Sequence, residues 1–335
     1  MATPTARMVT AAFIFAAWKA LISRSLFVIH GLITFWRVSD VYKDPLYYLL
    51  LVPFVLLLIE YPVTTKCTRT GEWKWICPSL FLYILGVVPG IWLLQLDALH
   101  SRVEHMKVSG SQVCGTYVAN TTFGDIQGIQ IPLELSSAEW TLALEQILLV
   151  LLILGKWLLP RGHLSRDQLA QLLMGYIGVA ADSLEFSLES LKEPQVLCDL
   201  VIIIIILSIW SWSLLQFCLN TTALAISDES DDSEEGIRSA CSGCYQSDIW
   251  ALIVSVILQD APYLAMRLFL MIYVGAIHQM MLFFTCKNVL VISLQFYRLG
   301  VLCCGKDDVT NAEFGNGEVS TREERTQINP NVVVD

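Results

Sequence analysis

The sequence predicts an all-α polytopic helical membrane protein with about eight transmembrane helices. Hydrophobic residues make up 55% of the 335 residues and charged residues only 16%, and the mean hydropathy is +0.59. Ordinary soluble domains carry roughly a quarter charged residues. Trp75–Leu96 and Leu200–Leu219 are uncharged throughout and long enough to cross the hydrocarbon core. Eight spans of about 20 residues use about half the chain, which leaves no room for a large soluble catalytic domain.

The span boundaries follow from where charged residues interrupt the apolar runs. The predicted spans are residues 15–36, 45–63, 76–97, 139–159, 168–188, 199–219, 249–274 and 277–302. The fifth is the weakest, because Asp182 and Glu185 lie within it, and a seven-span alternative omits it. A second alternative treats Arg7 and the apolar residues 8–18 as a signal peptide, but cleavage there leaves too short a first span.

Basic residues near the span ends set the predicted orientation. They crowd two connections, at Lys66, Arg69 and Lys74 and at Lys156, Arg161 and Arg166. Both connections are expected in the cytoplasm, together with residues 1–14 and the tail 303–335. The connection 98–138 then faces outward, and it contains an N-glycosylation acceptor at Asn120. The expected location is the plasma membrane or another membrane of the secretory pathway.

The net charge of −10 lies almost entirely outside the predicted spans of the membrane domain, residues 15–302. Residues 225–247 carry six acids and one base, and residues 306–335 carry seven acids and three bases. These segments predict an acidic cytoplasmic loop at 220–248 and an acidic, disordered tail at 303–335. No basic patch stands out. We therefore expect the lipid bilayer and other proteins as partners, and no nucleic acid.

The sequence offers little for catalysis. Its five histidines form no closely spaced metal-binding box, and it contains neither a Gly-x-Ser-x-Gly nucleophile elbow nor a Gly-rich phosphate loop. Cys241 and Cys244 form a single Cys-x-x-Cys pair, which is weak evidence for zinc when no second pair accompanies it. We therefore expect no enzymatic activity, no metal and no cofactor.

Two further pairs of cysteines are candidates for modification. Cys303 and Cys304 end the last span on the predicted cytoplasmic side, where cysteines are often palmitoylated, and plain interfacial residues are the alternative. Cys114 and Cys198 are the two cysteines on the predicted outer face. They are candidates for a disulfide, which depends on a distance that the sequence does not give.

Ionisable residues inside the spans are the candidates for function, because each is costly unless it is paired or hydrated. With the last two spans as a hairpin turning near Gly275, Asp260 and Lys287 lie at similar depth near the membrane midplane. Arg267 lies two turns from Asp260 on the same face, and Pro262 is expected to kink the helix. Two interpretations stay open: a polar centre that lines a path for an ion or solute, or a buried ion-pair network. The network is favoured, because two bases bracket one acid.

Acidic residues also collect at the predicted outer ends of the spans. Asp182 is the deepest of them in the fifth span, and Glu185 and Glu189 follow at i+3 and i+7 on the same face. Converging acids concentrate cations at a pore mouth. The favoured alternative is that the outer ends of helices simply tolerate acids.

Several short stretches, in order along the chain, carry a resemblance to a known family. They are Phe35-Trp36-Arg37-Val38, Trp73-Lys74-Trp75 leading to Phe81-Leu82-Tyr83, Gly155-Lys156-Trp157-Leu158-Leu159-Pro160, Arg166-Asp167-Gln168-Leu169, Ala180-Ala181-Asp182-Ser183-Leu184-Glu185-Phe186, Trp210-Ser211-Trp212, Gln259-Asp260-Ala261-Pro262 with Arg267, and Lys287-Asn288 with Tyr297-Arg298-Leu299. From about Trp18 to Leu302 the chain resembles the transmembrane protein 26 family. The resemblance implies a multi-pass protein with an externally glycosylated loop, and it implies no reaction, ligand or catalytic residue.

Two classes of function compete. The first, which the sequence favours, is a non-enzymatic interaction, receptor-like or accessory membrane component that acts through its outer loop and acidic cytoplasmic segments. The second is an ion or small-solute transporter or channel with a polar centre at Asp260, Arg267, Lys287 and Asp182. Neutralising Asp260 or Lys287 separates the two, because a conduit loses flux while it keeps its fold.

Overall fold

The structure is a computed structural model that describes residues 4–67, 76–109, 137–158, 166–191, 196–219 and 249–317. Within these ranges the backbone is helical apart from short turns and an isolated bridge between Ile76 and Leu219. The predicted all-α fold class is confirmed.

Eight helices follow one another in the described parts of the chain. They are α1 (Pro4–Tyr42), α2 (Val52–Cys67), α3 (Pro78–Ser109), α4 (Ser137–Leu158), α5 (Arg166–Ser190), α6 (Leu200–Leu214), α7 (Ile249–Val274) and α8 (Gln279–Gly317). A 3-10 helix, Pro45–Leu51, leads into α2. Asp44 caps its start by accepting a hydrogen bond from the backbone N–H of Leu46.

Seven of the described helices are long and apolar enough to cross a bilayer, and α5 falls short of that standard. The shortfall has the expected cause, because Asp182 and Glu185 interrupt its apolar residues. Nevertheless α5 is one continuous helix that packs against α4 and α6. The chain is thus a multi-pass membrane protein whose fifth helix relies on its neighbours to cover its charges.

Several helices extend past the predicted limits of their spans. Helix α1 begins at Pro4, α3 runs to Ser109 and α8 runs to Gly317. The predicted terminus 1–14, the outer loop and the tail 303–335 are therefore helical in part. Extending an existing helix costs little, so a helix does not have to end where charged residues mark the edge of the membrane.

The first helices of the bundle pack closely around the ring of Phe54 in α2. A Cβ atom added to Gly31 of α1 would lie 2.0 Å from Phe54 Cζ, and one added to Gly86 of α3 would lie 2.5 Å from the same atom. Phe27 of α1 and Tyr83 of α3 stack in the same interface, with ring centroids 4.4 Å apart. Small residues commonly let membrane helices approach in this way, so α1, α2 and α3 form a tight unit.

At the predicted cytoplasmic end, hydrogen bonds tie α6 to α3, α4 and α5. The Cys77 N–H donates to the Cys218 carbonyl at 2.8 Å. The buried Lys156 ammonium donates to the Leu219 carbonyl at 3.3 Å, and the Tyr176 hydroxyl donates to the same oxygen at 3.4 Å. A cation near the C-terminal end of a helix stabilises its unpaired carbonyls. This junction therefore fixes the ends of four helices.

Two π-helical segments, Val256–Asp260 and Leu270–Val274, interrupt α7. In the first, the Ala261 N–H donates to the Val256 carbonyl five residues earlier, and Pro262, which has no N–H, leaves the Ile257 carbonyl without a donor in the same register. The Trp212 indole of α6 donates to that carbonyl instead, at 3.4 Å. The carbonyl that Pro262 leaves unpaired therefore holds α7 against α6.

Candidate functional site

Polar side chains from α5, α7 and α8 meet at three levels between these helices. We name this arrangement the polar ladder and define it by Glu189 and His278 at the first level, Asp182, Glu185, Arg267, Lys287 and Asn288 at the second, and Ser255, Asp260 and Gln295 at the third. From His278 to Gln295 it extends about 26 Å at 1.5 Å per helical residue. A hydrocarbon core is about 30 Å thick, so the ladder covers most of that depth.

The first level lies at the turn between α7 and α8. Gly275 adopts a left-handed backbone with φ 72°, which a residue without a Cβ atom does at no steric cost. His278 Nε2 and Glu189 Oε2 of α5 are 3.0 Å apart. Glu189 is 7% exposed, so this contact ties the turn to the predicted outer end of α5.

Lys287 of α8 reaches across to α5 at the second level. Its ammonium pairs with Asp182 and lies 3.5 Å from Glu185 Oε2. The two acids are three residues apart and share one face of α5. The side chains of Lys287, Asp182 and Glu185 are 29%, 27% and 37% exposed. Charges at this depth are tolerated where water or a polar partner reaches them, so the second level has the character of a polar cleft.

Arg267 of α7 joins the second level and is 1% exposed. Its guanidinium lies 5.0 Å from the centre of the Phe284 ring, and the Lys287 ammonium lies 5.4 Å from the same ring. Within the described residues, Arg267 Nε and Nη1 and Asn288 Nδ2 have no hydrogen-bond partner. Asn288 lies one turn from Phe284 on α8. Three buried donors therefore lie along the interface of α7 and α8 with no acceptor.

The third level surrounds Asp260 of α7, which is 6% exposed. Its Oδ2 accepts hydrogen bonds from Gln295 Nε2 at 2.7 Å and from Ser255 Oγ at 3.2 Å. Gln295 Oε1 finds no partner in the described part of the chain. Neutral donors from α7 and α8 thus hold this carboxylate.

The structure does not pair Asp260 with Lys287, as their predicted depths suggested. The non-helical turn occupies 275–278, so α8 begins later than a turn at Gly275 implies. Lys287 then lies nine residues beyond the turn, level with Arg267, which lies eight residues before it. Asp260 lies fifteen residues before the turn and meets Gln295, seventeen residues beyond it. The predicted residues therefore occupy two levels of the ladder rather than one.

The sequence predicts no role in a site for Ser255, Asn288 or Gln295, because uncharged polar residues also hold membrane helices together. One signal was present. Asn288 and Gln295 are seven residues apart, which places them on one face of α8, where most neighbouring residues are apolar. A search for polar faces on single spans would have found them.

A group of hydroxyl and amide contacts anchors α7 beside the ladder. The Tyr263 hydroxyl lies 2.6 Å from Ser213 Oγ of α6 and donates to Ser183 Oγ of α5 at 3.1 Å. Gln216 of α6 donates to the side-chain carbonyl of Gln259. These contacts join α5, α6 and α7 at the depth where the ladder needs α7 to be fixed.

The ladder can hold and exchange charge rather than collect one metal ion. Its acids are distributed over three levels, and Lys287 lies between Asp182 and Glu185. Among the residues described, no group of three His, Cys, Asp or Glu side chains is placed to hold a metal ion.

The remaining predicted residues lie partly outside the described structure. Asn120 and Cys114 are outside it, and so are the side chains of Cys303 and Cys304. Cys198 is disulfide-bonded. The Cys114–Cys198 pairing, the glycan and the palmitoylation stay predictions.

Comparison with known proteins gives a match at the level of a family. A sequence model of the family described as Transmembrane protein 26 matches residues 14–298. The matched region includes every level of the ladder. No solved structure matches the chain.

Proposed function

The chain belongs to the transmembrane protein 26 family, and we propose that it is a non-enzymatic transporter or channel that passes a small polar solute or an ion along the polar ladder. Family membership confirms the resemblance seen in the sequence. The observation that carries the proposal is the length of the ladder, whose levels extend over about 26 Å of a hydrocarbon core of about 30 Å.

The unpaired donors of the ladder support a conduit over a purely structural network. A network that only held helices together would be expected to satisfy its buried donors. Arg267 leaves two nitrogens and Asn288 leaves one without a partner among the described residues. Donors of this kind supply binding groups for a water or solute at the membrane midplane.

The irregular backbone of α7 also supports the proposal. The regular segment that carries Arg267, Ala261–Phe269, lies between the two π-helical segments. Interrupted helices recur at the binding sites of transporters, where they line a cavity at the midplane. The regular segment is held in place by the Tyr263 hydroxyl, so Arg267 has a fixed position in the ladder.

The interaction function that the sequence favours remains the competing proposal. Its contact surfaces are the outer loop 98–138 and the acidic segments 220–248 and 303–335, and most of their residues lie outside the described structure. No described contact supports a protein partner. The absence of flux would restore this interpretation, and partners of the outer loop would become the next target.

Reconstitution into liposomes tests the proposed function. The purified protein is compared with Asp260→Asn and Lys287→Gln for cation and anion flux and for swelling in small neutral solutes. The control is Asp167→Asn, which removes an exposed acid at the start of α5, outside the ladder. We expect flux in the wild type and the control and its loss in both ladder variants, each of which must elute as a folded, monodisperse species.

Two results would contradict the proposal. One is the lack of flux for every ion and solute in the wild-type protein. The other is equal flux in all four proteins, which would place any path elsewhere. A ladder variant that misfolds is replaced by Asn288→Ala, which removes an unpaired donor without removing a charge.

We also propose a location in the plasma membrane or another secretory-pathway membrane, with residues 98–138 facing outward. Asn120→Gln should abolish the mass that a peptide N-glycosidase removes from the protein, because only an outward-facing acceptor meets the transferase. Asn220→Gln is the matched control, since the same motif there lies on the predicted inner side. A glycan at Asn220 would invert the orientation.

A further inference from the structure

A cavity of about 220 Å³ lies between α3, α4 and α5 at their predicted outer ends, apart from the polar ladder. Pockets for drug-sized ligands measure roughly 300–1,000 Å³, so this cavity suits a smaller molecule. Its polar wall includes Gln95 and Arg102 of α3, Glu145 of α4 and Ser187 of α5. Gln95 and Arg102 are seven residues apart and share one helix face.

Glu145 forms the negative pole of the cavity. It is 2% exposed, and its carboxylate accepts hydrogen bonds from Gln95 Nε2 at 3.1 Å and from Ser187 Oγ at 2.8 Å. No cation among the described residues pairs with it. A buried carboxylate is costly without a positive partner, so the cavity favours a ligand that brings one.

Arg102 forms the positive pole. It lines the same cavity, and within the described ranges it makes no ion pair or hydrogen bond. It therefore does not pair with Glu145, although both border the same space. Glu139, a second acid of the wall, already has a partner. The cavity thus presents one acid and one base, neither of which has an ion-pair partner among the described residues.

The rest of the wall is mainly apolar. Four leucines contribute to it: Leu142, Leu188, Leu191 and Leu197. Leu197, which precedes the disulfide-bonded Cys198, is 5% exposed. A ligand that carries both charges and an alkyl group would match all three parts of the wall.

We propose that this cavity binds a small zwitterion with an apolar side chain, such as a neutral aliphatic α-amino acid. Its ammonium group pairs with Glu145, its carboxylate pairs with Arg102 and its alkyl group contacts the leucines. The site extends beyond the proposed conduit and does not depend on it, because it lies between different helices.

Equilibrium binding of tritiated leucine to the purified protein tests the site. Two competitors, called half-ligands here, each keep only one charged group of leucine: 3-methylbutylamine has the ammonium group and 4-methylpentanoate has the carboxylate. We expect saturable leucine binding, with weaker competition by each of the two half-ligands. Binding is measured in detergent without any flux, so failure here leaves the conduit proposal untouched.

Two variants assign the poles. Glu145→Gln should weaken the binding of leucine and of 3-methylbutylamine by about tenfold or more, because it removes the negative partner of their ammonium groups. It should leave the binding of 4-methylpentanoate unchanged. Arg102→Gln should weaken the binding of leucine and of 4-methylpentanoate and leave the binding of 3-methylbutylamine unchanged. The matched control is Glu104→Gln on the same helix, which is exposed and outside the wall, and it should bind as the wild type does.

Three outcomes would overturn the zwitterion site. They are no saturable leucine binding, leucine binding that neither variant changes, and competition by only one half-ligand at full strength. The Arg102→Gln variant is expected to fold, since Arg102 is partly exposed and bonded to no described residue. If Glu145→Gln fails to fold, the Arg102→Gln pattern decides.

Discussion

Arg24 and Arg267 are both buried inside the helices, but the two halves of the molecule treat them differently. Arg24 of α1 is 4% exposed and donates to Glu60 from Nε at 2.9 Å and from Nη2 at 3.0 Å, while its Nη1 donates to the Ala20 carbonyl at 3.2 Å. Arg267 of α7 leaves Nε and Nη1 without a partner in the described residues. All three nitrogens of one arginine are bonded, and two of the other are not.

This difference separates a structural charge from one that is available to a ligand. The half built from α1 to α4 pairs Arg24 and packs glycines against Phe54, so it forms a fixed frame. The half that contains α5, α7 and α8 keeps partly exposed charges, while buried polar atoms without a hydrogen-bond partner among the described residues occur in both halves, at Arg267 of α7 and at His30 Nε2 of α1. Unsatisfied buried groups are rare in native proteins and call for a reason. We infer that the frame holds the ladder in register while the ladder meets the solute.

The largest expected effect is at Arg24. Arg24→Met leaves Glu60 buried without its partner, and breaking a buried ion pair costs about 3–5 kcal/mol. We expect a loss of that size in the free energy of unfolding, measured by denaturant titration in mixed micelles. Combining Arg24→Met with Glu60→Leu should recover most of it. A loss below about 1 kcal/mol in the single variant, typical of an exposed pair, would contradict a structural role.

A second contrast uses glycines of the two halves. Gly31→Ala forces a methyl group into the Phe54 ring, and overpacking of this kind costs about 1–3 kcal/mol. Gly178→Ala on α5 meets no atom within 4 Å, so it should raise the free energy of unfolding by about 0.5–1 kcal/mol through helix propensity. The same titration measures both. Equal changes in the free energy of unfolding for the two variants would mean that the frame is packed no more tightly than the surroundings of Gly178 on α5.

A double-mutant cycle measures the ladder's own pairing. Asp182→Asn and Lys287→Gln should couple by about 1–2 kcal/mol, because their side chains form an ion pair. The matched cycle of Asp260→Asn with Lys287→Gln should couple by less than about 0.5 kcal/mol, since Asp260 is held by Gln295 and Ser255. A larger coupling energy for Asp260 with Lys287 than for Asp182 with Lys287 would mean that Lys287 pairs with Asp260 in the hairpin of α7 and α8, as the sequence suggested.

The smallest effect on stability is expected at Arg267. Because two of its nitrogens make no hydrogen bond to a described residue, Arg267→Met should lower the free energy of unfolding by less than about 1 kcal/mol. It should nevertheless remove flux in liposomes. A loss as large as that of Arg24→Met would show that the two arginines do the same structural work.

The sequence was sufficient for the all-α, multi-pass fold and insufficient for the partners of its charges. Uncharged runs such as Leu200–Leu219 identify helices because a bilayer excludes charge over a fixed length. The weakness of the fifth span was also visible, since Asp182 and Glu185 interrupt it. Both inferences rest on local composition, which needs no knowledge of how helices pack.

Side-chain partners depend on the turn and on packing. A turn over 275–278 instead of one at Gly275 moves Lys287 away from Asp260 and toward α5. Glu145 likewise meets Ser187, which is far from it in the sequence. No periodicity encodes such pairings, so these side-chain contacts could not be predicted from the sequence.

The central claim, that the ladder is a hydrated path, is tested most directly by thiol labelling. Glu185→Cys places a thiol in the ladder. Cys286 serves as an internal reference in the same molecule, because it is exposed on the membrane-spanning part of α8 and therefore faces lipid. Vesicles containing the variant are treated with a hydrophilic, membrane-impermeant thiosulfonate, and both sites are followed by mass spectrometry. If the ladder is hydrated, the introduced thiol should be labelled rapidly and Cys286 slowly. Slow labelling of both would show a dry ladder and contradict the claim.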